Sequence, residues 1–314
     1  MKGMLTATCV LVAVAGFALS AFADDDPGDP SAESPTVTEP YFGEREPGVT
    51  PRLFAPSVLG SNLHTPPIFS SDGASVYWCR MDGREILWTR LEDGAWQQPK
   101  IVRFAFAFAS VFASPDSPFL SADGERLYFT SFGGGLFHRR ETLWFVERTE
   151  SGWGSPQSLP FEETSPSAHW AFSMTTSGTL YFGFEEEIYV AECNSGVYGC
   201  PRPIGPPISS SGLDAMPYVA SDGSYLLFAS NGHADHLGNI DLYLSIRQPD
   251  GSWGDPIHLP YPVNSVHQDL YPTVSPDGKY LFFLSTRGGN HRAYWVDASV
   301  VTDLLPHEAS EEGD

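Results

Sequence analysis

Imidazoles and carboxylates recur at one register of this chain. His64, His169, Asp214 and Asp269 each stand eight residues ahead of the residue that precedes the glycine of a short turn, and Asp116 stands seven ahead of its own. Side chains that donate, accept and titrate near neutrality can hold a divalent metal, hydrogen-bond a sugar or a peptide, or serve as acid and base. His267 lies just ahead of Asp269, and His138, Arg139, Arg140, His233, Asp235, His236, Arg287, His291 and Arg292 follow in other segments between the turns. The guanidinium groups among them favour anionic partners. The candidate ligand-binding set is His64, Asp116, His169, Asp214, His233, His236, His267, Asp269, Arg287 and His291. The same residue types at a strand entrance also serve structure, by bonding loop backbone and neighbouring sheets. No pair has the tight spacing of a zinc motif, so no cofactor is expected, with a divalent metal kept as a weaker option.

The elements that must position these residues are written in the turns. FSSDG at 69–73, LSADG at 120–124, TTSG at 175–178, ASDG at 220–223 and SPDG at 275–278 repeat with glycine spacings of 51, 54, 45 and 55 residues. Such spacing matches one four-stranded propeller blade per repeat. Each turn joins two apolar-rich runs, which reads as a hairpin, with glycine accepting positive φ and Asp or Ser bonding local backbone. A bulky pair follows every turn: Tyr77 and Trp78, Tyr128 and Phe129, Tyr181 and Phe182, Leu227 and Phe228, Phe282 and Phe283. Adjacent strand residues point to opposite faces, so both faces of this second strand are buried, as stacked blades require. A third strand begins at Glu85, Glu141, Glu187, Asp241 and Arg292, where the acids are expected to satisfy loop backbone.

A fourth, outer strand opens on an aromatic with a proline three residues on: Trp96 and Pro99, Trp153 and Pro156, Tyr198 and Pro201, Trp253 and Pro256. Proline lacks the backbone donor and belongs at an edge. The fifth repeat has no such segment after Trp295, and Leu53-Phe54-Ala55-Pro56 ahead of the first repeat is expected to supply it and zip the ring shut. The predicted fold is therefore all-β, a five-bladed β-propeller of four-stranded antiparallel blades closed by an N-terminal strand, with six blades as the alternative.

In this arrangement the turns lie on one face of the ring. The entrances to the inner strands and the loops between second and third strands lie on the other, which collects seven of the nine histidines. A strand-turn-aromatic signature of this kind, clearest in the fifth repeat, resembles the TolB-type, WD-repeat-like propeller family over residues 40–305. The resemblance implies an exported binding scaffold and carries no catalytic residues. TolB itself has six blades, and the third repeat has Thr176-Ser177-Gly178 in place of Pro-Asp-Gly.

Lys2, the apolar run from Leu11 to Leu19 and Ala21-Phe22-Ala23 read as a signal peptide ending at residue 23, so a periplasmic or secreted location is expected. Residues 24–40 read as a disordered acidic linker, 41–305 as the propeller and 306–314 as an acidic disordered tail. Cys193 and Cys200 flank the turn-like NSGVYG, and a hairpin disulfide is expected in an oxidising compartment. Phe104, Phe106 and Phe108 alternate with alanines and place three rings on one side of an extended segment. A net charge of −22, from 39 acidic against 17 basic side chains, excludes nucleic acid as a natural partner. No later stretch has the ~20 apolar residues of a membrane span.

Enzyme motifs are missing: HExxH, GxSxG, a Walker loop and GxGxxG between strand and helix do not occur. The expected function is non-catalytic recognition, by a monomer, of a protein or envelope glycan through the His-rich face. The alternative is a carbohydrate-active hydrolase or lyase using Asp116, Asp214 and Asp269, with or without a metal.

Overall fold

The computed structural model describes residues 40–82, 85–104, 113–132, 141–162 and 167–306. The stretches expected to be a signal peptide and acidic tails, the loop carrying His138, Arg139 and Arg140, and residues Phe106 and Phe108 lie outside the described residues. Five antiparallel sheets follow one another along the chain and form a five-bladed β-propeller. The inner strands are Ile68–Phe69, Ala113–Leu120, His169–Met174, Asp214–Val219 and Asp269–Val274. Second strands run Ser75–Cys79, Arg126–Phe132, Leu180–Phe184, Tyr225–Ser230 and Tyr280–Ser285, and third strands Ile86–Glu92, Glu141–Thr149, Glu187–Ala191, Asp241–Ile246 and Arg292–Asp297.

The turn chemistry is uniform. In all five hairpins the glycine N–H bonds back to the residue three before it, at 2.8 or 2.9 Å, and the glycine has φ between 67° and 89°. A β-carbon is disfavoured in that region. The turn aspartate then ties the loop: Asp277 accepts from the Ser275 hydroxyl at 2.6 Å and from Lys279 N–H at 3.2 Å. In the third hairpin, which lacks the aspartate, the Thr175 and Ser177 hydroxyls sit 2.9 Å apart and Thr175 Oγ1 accepts from Thr179 N–H.

Ring closure takes the expected route. Arg52–Leu53 pairs antiparallel with Arg292–Asp297, placing Leu53 opposite Tyr294, and Phe54 N–H continues the ladder to Ala293 O at 2.9 Å. The other outer strands differ from the expected continuous run. The aromatic segment and the segment beyond the proline form two separate short pairings with the third strand in the first two blades, as Ala95–Trp96 and Lys100–Ile101 do with Ile86–Glu92. The missing proline donor divides the ladder at that point.

The core lies between blades. The bulky pairs of the second strands are buried on both sides, with Tyr77, Trp78, Phe228, Phe282 and Phe283 at 1% exposure or less. Across the closing seam Phe54 meets Phe69, Phe282 and Trp295 at centroid distances of 6.1, 4.9 and 5.0 Å. Ahead of the closing strand, Tyr41 and Phe42 adopt φ of 55° and 59° and wedge into the same seam. Tyr41 stacks edge-on to Phe69 and Tyr280 and donates its hydroxyl to Asp277 at 2.9 Å, while Phe42 packs on Trp96 at 4.3 Å.

Candidate functional site

Four of the five inner strands carry a bulge just inside the mouth of the ring, where Ser117, Ala171, Met216 and Tyr271 have φ of 49°, 80°, 58° and 53°. The first blade places Pro66-Pro67 at the matching point. Left-handed backbone at non-glycine residues is strained, and its repetition aims side chains into the channel. They nearly fill it. The axis retains a cavity of about 40 Å³, bounded by all five inner strands and lined by Ser117, Phe119, Phe172, Met216, Tyr218 and Tyr271 among others.

Around this mouth the acids are engaged within the fold. Asp269, fully buried, accepts from Ser265 N–H and Oγ at 2.8 Å each and from Arg287 Nη2 at 2.7 Å. Arg287 also donates to the Pro262 and Val263 carbonyls at 2.9 and 2.5 Å, and lies over the rings of Phe283 and Tyr294. It clamps the entry loop of the fifth blade and has little left for a ligand. Asp214, at 1% exposure, accepts from Ser210 N–H and Oγ at 2.5 and 2.7 Å and from Ser230 Oγ at 2.6 Å, with His233 Nε2 3.7 Å away. A serine four residues ahead of the acid thus fixes two entry loops by the same clasp, a spacing that the repeat itself displays.

Asp241 plays the loop-satisfying role expected of it, accepting from Leu237 and Gly238 N–H, and also contacts His258 Nε2 at 2.8 Å. His258 was not among the sequence candidates because it sits on an outer strand, Ile257–His258, and reaches the mouth only through the register of Tyr243 opposite His258. Glu141 and Glu187 accept from Thr130 and Ser209 hydroxyls. His236 turns its Nδ1 to the His233 carbonyl at 2.8 Å and is exposed, as is His267. His169 begins its inner strand with its Cα paired to Gly183, and its side chain lies outside the described residues. Cys193 and Cys200 are free thiols in the structure: the hairpin register sets Cys193 opposite Tyr198, two residues short of Cys200. Phe104 stacks on Phe129 at 5.0 Å.

One constellation is built differently. His64 Nδ1 lies 2.5 Å from Asp116 Oδ2, and its Nε2 lies 3.4 Å from the Tyr271 hydroxyl. The Asp116 carboxylate is fully buried. Burial alone would raise its pKa, but bonding and charge from His64, the Cys79 thiol and Ser117 N–H outweigh this and hold it below the ordinary value. His291 stands beside His64, its carbonyl accepting from Leu63 N–H at 3.0 Å, and burial followed by the His64 charge lowers its pKa, so that it is neutral near pH 7. The buried Ser117 Oγ and His291 Nε2 have no hydrogen-bond partner among the described residues. Residues of blades one, two and five thus bring an oriented imidazole, a phenol, a hydroxyl and a second imidazole to one sector of the mouth. Among the described residues no three His, Cys, Asp or Glu side chains are set to hold a metal ion.

Farther out, the loops of blades four and five expose apolar side chains on the same face. Leu237, Tyr261 and Val266 are 50%, 77% and 78% exposed. These loops are packed together: Ile240 bridges Gln268, and a β-carbon at Gly238 would fall 2.0 Å from the His267 carbonyl oxygen.

No family model and no curated protein matches the sequence. Solved structures do match in fold. An endo-arabinase from Bacteroides thetaiotaomicron is similar with a TM-score of 0.50 and 12% identity, over 81% of this chain and 97% of that one. A protein assigned as TolB from Agrobacterium tumefaciens is similar at 0.49 and 17%, over 74% and 76% of the two chains. An exo-1,5-alpha-L-arabinanase from a bovine ruminal metagenomic library is similar at 0.49 and 12%, over 75% and 93%. Likeness at these identities concerns the fold alone.

Proposed function

We propose that the protein is an exported, non-catalytic propeller of TolB type that recognises a protein or cell-envelope component through its His-, Arg- and Asp-bearing face. The observation that carries this reading is the exposure of Leu237, Tyr261 and Val266 next to His236 and His267 on loops that are otherwise pinned down. Rigid loops presenting apolar and aromatic side chains lose little entropy on binding, and a solvent-facing group of them marks an interaction surface. Of the three mouth acids that a hydrolase would need, Asp214 and Asp269 are instead buried and hydrogen-bonded in loop clasps, and Asp116 is buried against His64, which supports recognition over catalysis. Export is proposed from the sequence of residues 1–23, which reads as a signal peptide, and among the described residues no helix is long and apolar enough to cross a membrane.

The test is a photo-crosslinking amino acid placed at position 266, with position 197 on the opposite face as control, in cells exporting the full chain. A discrete adduct from position 266 and none from 197 is expected. No adduct at 266, or the same adducts from both positions, would sink the reading.

A further inference from the structure

The cavity on the propeller axis and the residues beside it have a composition that selects a ligand. None of the residues lining the cavity carries a charge. Its polar groups are hydroxyls, from Thr65, Ser117, Ser173, Tyr218, Tyr271 and Thr273, set among proline, methionine and phenylalanine surfaces. Thr65 and Ser173 accept from backbone N–H groups of Cys79 and Val219. Ser117 Oγ, on a residue with 3% exposure, has no partner among the described residues, and neither has His291 Nε2. Unmade hydrogen bonds at buried polar atoms are costly, so these two atoms call for a partner that enters from outside.

From this we infer that the mouth between blades one, two and five binds the end of a neutral, hydroxyl-rich molecule, a sugar or polyol, with Ser117, His64 and His291 as its hydrogen-bonding residues. The inference rests on reading this face as a recognition surface and names what its centre takes. Hydroxyls both donate and accept, and so do the serine and tyrosine hydroxyls and a neutral imidazole. A carboxylate or phosphate would find no charged side chain among the described residues that line the cavity. A cation would find Asp116 bonded to His64 and Ser117 N–H. The cavity of about 40 Å³ has room for about three water-sized groups. One hydroxymethyl or ring edge fits, and the remainder of the molecule stays outside, under the rim loops.

Calorimetric titration of the full chain with glucose, galactose, mannose, arabinose and glycerol, and with inorganic phosphate, tests this directly. Saturable binding of at least one neutral compound is expected, with dissociation constants up to about 10 mM, and none of phosphate. Ser117→Gly removes the hydroxyl at a position whose positive φ glycine accepts. It is expected to weaken that binding about tenfold with the melting temperature preserved, as is His291→Gln. Comparing a bound monosaccharide with its linked trimer separates a free sugar from a glycan terminus: equal affinity assigns the former, a gain with length the latter, and either supports the site. Binding of phosphate alone, no binding of any neutral compound, or affinity unchanged in both variants would overturn it. A surviving crosslink at position 266 with no sugar binding would remove this inference and leave the recognition face standing.

Discussion

Single residues at the mouth of the ring illustrate how one side chain can serve several loops. Arg287 answers the buried Asp269 carboxylate, two carbonyls of the preceding loop and the Ser285 hydroxyl. Removing it leaves a charge in a site with 0% exposure, and Arg287→Ala is expected to cost about 3 kcal/mol in urea denaturation. Arg287→Lys should recover little, since an ammonium cannot span the fork of acceptors. A loss below about 1 kcal/mol in the alanine variant would mean that water replaces the clamp. At this scale the sequence was half informative. Types and register led to Asp116, Asp214 and Asp269 together, because they lie seven, eight and eight residues ahead of a turn aspartate. The split between structural clasps and the open His64 constellation was not legible. It depends on Ser210 and Ser265 reaching back to their acids and on the loops folding tightly enough for Arg287 to bridge them.

Elements were the most legible level, since a hairpin that needs a left-handed glycine announces itself in composition. The outer strands were less so: the proline was visible, but whether it ends one ladder or divides it depends on the partner strand being long enough to pair on both sides, as Ile86–Glu92 and Glu141–Thr149 are. The turns also predict behaviour in acid. Hydroxyls of Ser70, Ser121 and Ser224 hold Asp72, Asp123 and Asp222 below the ordinary carboxylate value. At Asp277 burial pulls upward, but bonds from Ser275, Lys279 N–H and Tyr41 prevail. Carboxylates with lowered folded-state values add stability that is complete above their unfolded pKa and lost as pH falls through the folded one. The melting temperature should therefore be level above about pH 5 and decline below about pH 4. Asparagine at positions 72, 123, 222 and 277 together should flatten that decline. An equally steep decline in the quadruple variant would assign it to Asp116 or other acids instead.

For the molecule as a whole, closure is the controlling event, and it was readable from a deficit: four outer strands for five repeats, with a spare segment at the other end of the domain. The Tyr41 and Phe42 wedge was not legible because it belongs to no repeat and its left-handed backbone falls on two aromatic residues ahead of Gly43. Phe54 joins the first and last blades, and Phe54→Ala is expected to cost about 3–5 kcal/mol by chemical denaturation, well above the same change at a partly buried ring such as Phe145. Similar losses at both would show that the seam is no more important than any single blade. The divided outer strands have a further bearing on life at high concentration. Beyond each proline, the rim of a blade offers only a two-residue run, Lys100–Ile101, Gln157–Ser158, Arg202–Pro203 or Ile257–His258. Among the described residues, a second molecule approaching these rims sideways finds no stretch of unsatisfied amides long enough to template intermolecular cross-β growth, so a fold whose regular structure is nearly all strand carries its own guard against becoming fibrous.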